Sequence, residues 1–141
     1  MQRDILYVED NADHAELVLR CLERQHLRQR VAHVEDGESA IAYLDRVARG
    51  ELCRPVLVLL DLKLPRVDGM SVLDHAKHST TLREIPIIIL TTSTADRDVK
   101  GAYAHYANSY LVKPDDVTQL DALLRELSHY WLEQNRRSSP G

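Results

Sequence analysis

Five polar residues fall where the short apolar runs of this chain end, and their types could together manage a phosphoryl group. Glu9 and Asp10 follow ILYV, Asp61 ends VLVLLD, Thr91 ends IPIIILT, and Lys113 follows SYLV. Carboxylates gathered within a few ångström repel one another by several kcal/mol at protein-like effective dielectric, so such a group calls for a cation or for raised pKa values. Hard oxygen donors with no His or Cys among them favour Mg2+, which keeps several waters and accepts one or two carboxylates plus a phosphate oxygen. Lys113 would add a second positive charge and Thr91 a hydroxyl donor. With the metal, they would stabilise a phosphoryl group carried by the central carboxylate, Asp61. Any one of these acids could instead cap the helix that follows it, as Asp10 or Asn11 could for the first. Their conjunction at successive strand ends is what points to a site.

The elements that must position these residues alternate along the chain. Strands are predicted at Ile5 to Glu9, Arg30 to Val34, Pro55 to Asp61, Ile85 to Thr91 and Ser109 to Val112. Between them, apolar residues recur at helical spacing: Ala15, Val18, Leu19 and Leu22, then Ile41, Leu44 and Ala48, then Val99, Ala102, Tyr103 and Tyr106. A shorter helix is predicted over about Met70 to His78. A long final one runs from about Val117 to Arg137, with Leu120, Leu123, Leu124, Leu127 and Trp131 on its inward stripe and Tyr130 and Leu132 off it. VLVLL and IIIL are apolar at every position, which suits central parallel strands covered on both faces. The expected fold is α/β, a doubly wound five-stranded parallel sheet in one domain over 1–137, with a flexible tail at 138–141. Ligands of such sheets gather beyond the carboxyl ends of the strands, where the five polar residues fall.

Composition removes several classes. The 141 residues, 44% hydrophobic and 28% charged, suit one self-sufficient core. A net charge of −4 gives no general attraction to nucleic acid or anionic lipid. No apolar run approaches the about 20 residues of a membrane span, and the polar start MQRD has no signal pattern, so a cytoplasmic location is expected. Cys21 and Cys53 lack metal or disulfide spacing and read as reduced thiols. His75 and His78 read as a solvated helix face, because no third ligand accompanies them.

From about Asp4 to the helix after Pro114, the chain resembles the receiver domain of two-component response regulators. The resemblance rests on Glu9-Asp10, DLKLPRVDG from Asp61 to Gly69, ILTTS from Ile89 to Ser93 and YLVKP from Tyr110 to Pro114. It implies the flavodoxin-like strand order 2-1-3-4-5 and a phosphoryl group accepted by Asp61 from a histidine kinase. Such a protein catalyses only its own phosphorylation and dephosphorylation. The same resemblance implies Mg2+ held by Glu9, Asp10, Asp61 and the backbone carbonyl of Lys63, with phosphoryl contacts from Thr91 and Lys113. It further implies a switch role for Tyr110, which turns inward on activation, and makes Lys113–Pro114 a candidate cis peptide. An FMN protein would meet two carboxylates in its first loop, and a haloacid-dehalogenase-type phosphatase would need a second Asp where Lys63 stands.

Departures from the family pattern carry expectations of their own. The Lys63 ammonium cannot accept a proton or orient an attacking water as an amide or carboxylate can, so slow self-dephosphorylation is expected. Tyr106-Ala107 stands where receivers often have Gly-Ala, and the ring is expected to reshape the surface of the fourth helix. Tyr130, Trp131 and Leu132 suggest a homodimer built on the fourth and fifth elements and the final helix. The final helix, the LTTS run and Tyr106 are most similar to small single-domain regulators that serve phytochrome-type histidine kinases. No stretch remains for an output module, so the expected signal is conformational change and protein contact. The alternatives are a constitutive interaction module not switched by phosphate, and a phosphatase acting on outside substrates.

Overall fold

Side chains alternate faces along a strand, so each fully apolar run serves two cores at once. The computed structural model describes residues 2–138; Met1 and 139–141, most of the expected tail, lie outside the described residues. Strands β1 (Ile5–Val8), β2 (Val31–Val34), β3 (Leu57–Leu60), β4 (Ile87–Thr91) and β5 (Ser109–Val112) alternate with helices α1 (Ala12–Arg24), α2 (Gly37–Ala48), α3 (Gly69–Lys77), α4 (Asp96–Ala104) and α5 (Val117–Ser128). All pairings are parallel, in the order β2-β1-β3-β4-β5, the doubly wound arrangement expected. Leu6, Val8, Val58, Leu60, Ile87 and Ile89 face a core closed by α2, α3 and α4. Ile5, Tyr7, Leu57, Leu59, Ile88 and Leu90 face a second core closed by α1 and α5. No helix among the described residues is long and apolar enough to cross a membrane.

Side-chain oxygens start four of the five helices. Asn11 accepts the N–H groups of Asp13 and His14, and Asp36, Asp68 and Asp116 accept those of Ser39, Ser71 and Thr118. Such caps satisfy otherwise orphaned donors. Each helix follows the carboxyl end of a strand, so these caps sit on the same rim as the candidate site.

Three expectations are corrected. The final helix was expected to continue to Arg137, but α-helical geometry ends at Ser128, a π-helical turn covers His129–Gln134, and Asn135 is extended. Asn135 N–H donates to the Tyr130 carbonyl at 2.6 Å, an i to i+5 bond. The wider turn brings Leu132, five positions after buried Leu127, onto the α1/α5 core beside Trp131 and leaves Tyr130 exposed. A uniform period of 3.6 puts Leu132 on the wrong side. The second correction is Lys113–Pro114, which is trans, since no peptide bond among the described residues is cis; trans is the default for X–Pro by about 0.5–1 kcal/mol. Third, the strand ladders stop short of Glu9 and Asp61, so these acids lie just past the paired ends. Tyr106 adopts φ 70°, the left-handed conformation glycine takes most easily. The residue is 68% exposed just beyond α4, adding an aromatic surface there.

Gly69 opens α3 against the turn that carries Asp61. A Cβ built there would lie 2.3 Å from the Asp61 carbonyl oxygen and 2.6 Å from Leu62 Cα. Gly69→Ala should cost about 1–3 kcal/mol in denaturant unfolding, the usual range for overpacking; a variant as stable as the parent would contradict this close approach.

Candidate metal centre

Register alone brings the acids together. β1 and β3 pair with Val8 opposite Leu60, so the next residues out, Glu9 and Asp61, leave the ladder as neighbours. Asp61 N–H still donates to the Val8 carbonyl at 3.1 Å. On the far side of β3, β4 pairs with β5 with Thr91 opposite Val112, and Lys113 N–H donates to the Thr91 carbonyl at 2.7 Å. One carboxylate oxygen from each of Glu9, Asp10 and Asp61 lies within 4.8 Å of the others, which makes these three the only metal-capable acid, His or Cys group among the described residues.

Two of the three acids are buried around one cation. Glu9 is 1%, Asp61 6% and Lys113 8% exposed. Lys113 Nζ donates to Glu9 Oε1 and, at 3.2 Å, to Asp61 Oδ2. The second oxygens are held by backbone: Asn11 N–H donates to Glu9 Oε2 at 3.2 Å and Lys63 N–H to Asp61 Oδ1 at 3.1 Å. Burial raises the Glu9 pKa to about 7 against the pull of the Lys113 ion pair, with the Asp61 charge adding to the rise. At Asp61 burial acts the same way, but the Lys113 charge and the Lys63 N–H outweigh it, and the pKa falls below the usual carboxylate value. A proton taken by this pair therefore goes to Glu9. Asp61 stays ionised, the form a nucleophilic oxygen needs. Three carboxylates against one ammonium leave the cluster anionic, and its all-oxygen donor set fits a hard divalent cation. Exposed Asp10 gives such an ion a path in from solvent.

The remaining expected residues surround this centre. Thr91 is fully buried; its Oγ1 accepts the Ser93 N–H at 3.5 Å, leaving the hydroxyl hydrogen free. The Tyr110 ring packs against the α2–α4 core and its hydroxyl donates to the Ser93 carbonyl at 2.9 Å, so the ring is already turned in. Lys63 meets Asp61 through its backbone N–H, while the residue as a whole is exposed. His75 and His78 are exposed and bonded to Asp45 and to the Asp74 backbone, as a solvated face would be. Two groups at the centre escape a reading of the sequence. The Tyr7 hydroxyl is buried beneath it without a hydrogen-bond partner, and His14 reaches Lys113. The one sequence signal for His14 is its place in the first turn of the helix that follows Glu9-Asp10.

Folded Glu9 binds its proton more tightly than the unfolded chain does, so its contribution to metal-free stability falls as pH rises from about 4.5 through about 7. Since one pKa unit is worth about 1.4 kcal/mol, the melting temperature of Glu9→Gln in chelator should gain several degrees on the wild type between about pH 5 and about pH 8. Parallel pH curves for the two proteins would contradict the buried acid.

The family model for the response regulator receiver domain matches residues 5–125. The probable methanogenesis regulatory protein FilR2 of Methanothrix harundinacea is 45% identical over 96% of this chain and 88% of its own length. Response regulator Rcp1 of Synechocystis sp. is 35% identical over 92% of this chain and 88% of its own. The crystal structure of the phosphorylated cyanobacterial phytochrome response regulator RcpA matches with a TM-score of 0.89 at 33% identity, covering 99% of this chain and 100% of that one. The matched span contains all five strands and every acid of the cluster, and the likeness extends over nearly the full length of these relatives: the chain belongs to the response regulator receiver domain family.

Proposed function

We propose that this chain is a phosphoacceptor switch in which Asp61 takes a phosphoryl group from the phosphohistidine of a histidine kinase. The observation that carries this reading is a buried, ionised aspartate held beside Lys113 within an anionic oxygen cluster. In the transfer, an Asp61 oxygen bonds to phosphorus as the P–N bond breaks, and the imidazole nitrogen leaves with the electron pair. Little covalent work is asked of the protein, so positioning and charge neutralisation supply the rate. Glu9, Asp10, Asp61 and the Lys63 carbonyl are the groups that would hold Mg2+, whose charge would offset that of the phosphoryl oxygens. Metal uptake is supported by the donor set and by the Mn2+-bound structure of Rcp1, 33% identical over 96% of this chain and 98% of that one, with a TM-score of 0.85. Lys113 already stands 3.2 Å from Asp61 Oδ2, close to where an added phosphoryl oxygen needs a cation. Thr91 has a hydroxyl hydrogen to donate, and any pull on it is felt at Ser93 and so at the Tyr110 ring beneath α4.

Likeness to RcpA, a cyanobacterial phytochrome response regulator, supports a phytochrome-type histidine kinase as the partner. Exposed Tyr103, Tyr106, Val112, Val117 and Tyr130 support a homodimer through α4, β5, the start of α5 and the π-helical turn after it. Of Tyr130, Trp131 and Leu132, Tyr130 is the anchor of that contact, because Trp131 and Leu132 pack on the core. Cys21 and Cys53 are both free, in keeping with the reducing cytoplasm.

Incubation with Mg2+ and acetyl phosphate should give an acyl-phosphate adduct, seen by intact-mass spectrometry, that chelator and Asp61→Asn abolish; a wild type that never gains it contradicts the switch. Lys63→Asn should shorten the life of that adduct severalfold in a decay time course, and an equal or longer life would remove the role given to the ammonium. Sedimentation should show a mass that rises with concentration and does so less in Tyr130→Ala, whereas a monomer at every concentration would exclude the dimer.

A further inference from the structure

An ammonium has three N–H bonds, and Lys113 has three partners, of which one carries no formal charge of its own. Two bonds go to Glu9 and Asp61, and the third partner is Nδ1 of His14, 3.1 Å from Nζ. A ring nitrogen facing an ammonium must present its lone pair, which assigns the ring proton to Nε2. We infer that His14 is a positioning residue for Lys113, a neutral acceptor that keeps the ammonium aimed at Asp61 when the carboxylates are otherwise engaged. The inference rests on the phosphoacceptor reading given above.

His14 is itself held in place. Its backbone N–H is capped by Asn11 Oδ1 at 3.0 Å, which locks the first turn of α1 directly behind Glu9 and Asp10. Its side chain is 38% exposed, so the ring forms part of the wall between Lys113 and solvent. Glu9 and Asp61 both belong to the anionic cluster, and any cation or phosphoryl group arriving there draws on the same two carboxylates that now accept from Lys113. The His14 lone pair lies outside that competition. Lysine is a flexible four-carbon stem bearing a point charge, and it stays ordered only where fixed acceptors hold its tip. A third acceptor on a capped helix turn supplies that order without adding negative charge to a cluster that already has an excess.

Two readouts test this on the full chain. In metal-free protein, 15N spectra should show a slowly exchanging Lys113 ammonium in the wild type and in His14→Gln, which retains an acceptor, and a shifted, exchange-broadened signal in His14→Ala. Mg2+-dependent labelling by acetyl phosphate should slow about tenfold in His14→Ala, the scale of one hydrogen bond to a charged group. It should recover in His14→Gln and show no His14→Ala effect in a Lys113→Ala background. Labelling of His14→Ala at the wild-type rate, or an equal loss in both backgrounds, would overturn the inference. A wild type that is never labelled defeats the phosphoacceptor reading instead, and an unchanged Lys113 signal in His14→Ala then overturns the positioning role by itself.

Discussion

Two buried carboxylates share one buried ammonium at the mouth of the sheet, and the rest of the fold keeps them there. Removing charges from water is costly, and Coulombic attraction offsets the cost only when geometry and additional hydrogen bonds are good. Here the added bonds come from backbone, with Asn11 N–H on Glu9 and Lys63 N–H on Asp61. The arrangement remains short of positive charge, because Asp10 adds a third carboxylate and Lys113 is the one ammonium bonded to the group among the described residues. Burial, against unequal help from Lys113 and backbone N–H groups, separates the two buried acids chemically. Glu9 is pushed towards its protonated form and Asp61 away from it.

The frame that imposes this geometry is the register of wholly apolar strands. A strand buried on both faces cannot slip by one position without exchanging its two cores. Val8 opposite Leu60 therefore places Glu9 and Asp61 as firmly as the core itself is placed, while half-exposed β5 takes its position from pairing with buried β4, Thr91 opposite Val112. The helix starts support the same rim, since amino-terminal dipole ends stabilise negative charge near them. A second path leads outward from the rim. Thr91 meets Ser93 in the loop before α4, Ser93 accepts from Tyr110 on β5, and the Ser93 hydroxyl donates to Asp98 in α4. Thr91, at the rim, thus has a short, bonded route to a face carrying exposed Tyr103 and Tyr106.

Strand order, both cores and the acidic cluster were legible in the sequence because each depends on a pattern that burial enforces over several residues. The five strands were placed within two residues at each end, and Glu9, Asp10, Asp61, Thr91 and Lys113 do share one rim. What escaped depends on single torsions or long-range packing. The π-helical turn moves Leu132 by one position and cannot be read from a uniform helical period. The inward ring of Tyr110 and the reach of His14 to Lys113 are side-chain orientations between residues far apart in the chain. Tyr106 was recognised as a departure from the family, but the reason that position suits glycine, a positive φ, is visible only in the backbone.

Calorimetric titration of the metal-free protein with Mg2+ near neutral pH, repeated in buffers of different ionisation enthalpy, tests the centre most directly. Saturable binding at one site is expected, with partial proton release as Glu9 becomes ionised, and with the binding lost in Asp10→Asn. Absence of magnesium uptake by the wild type, or uptake indifferent to Asp10, would contradict a cation site built from these carboxylates.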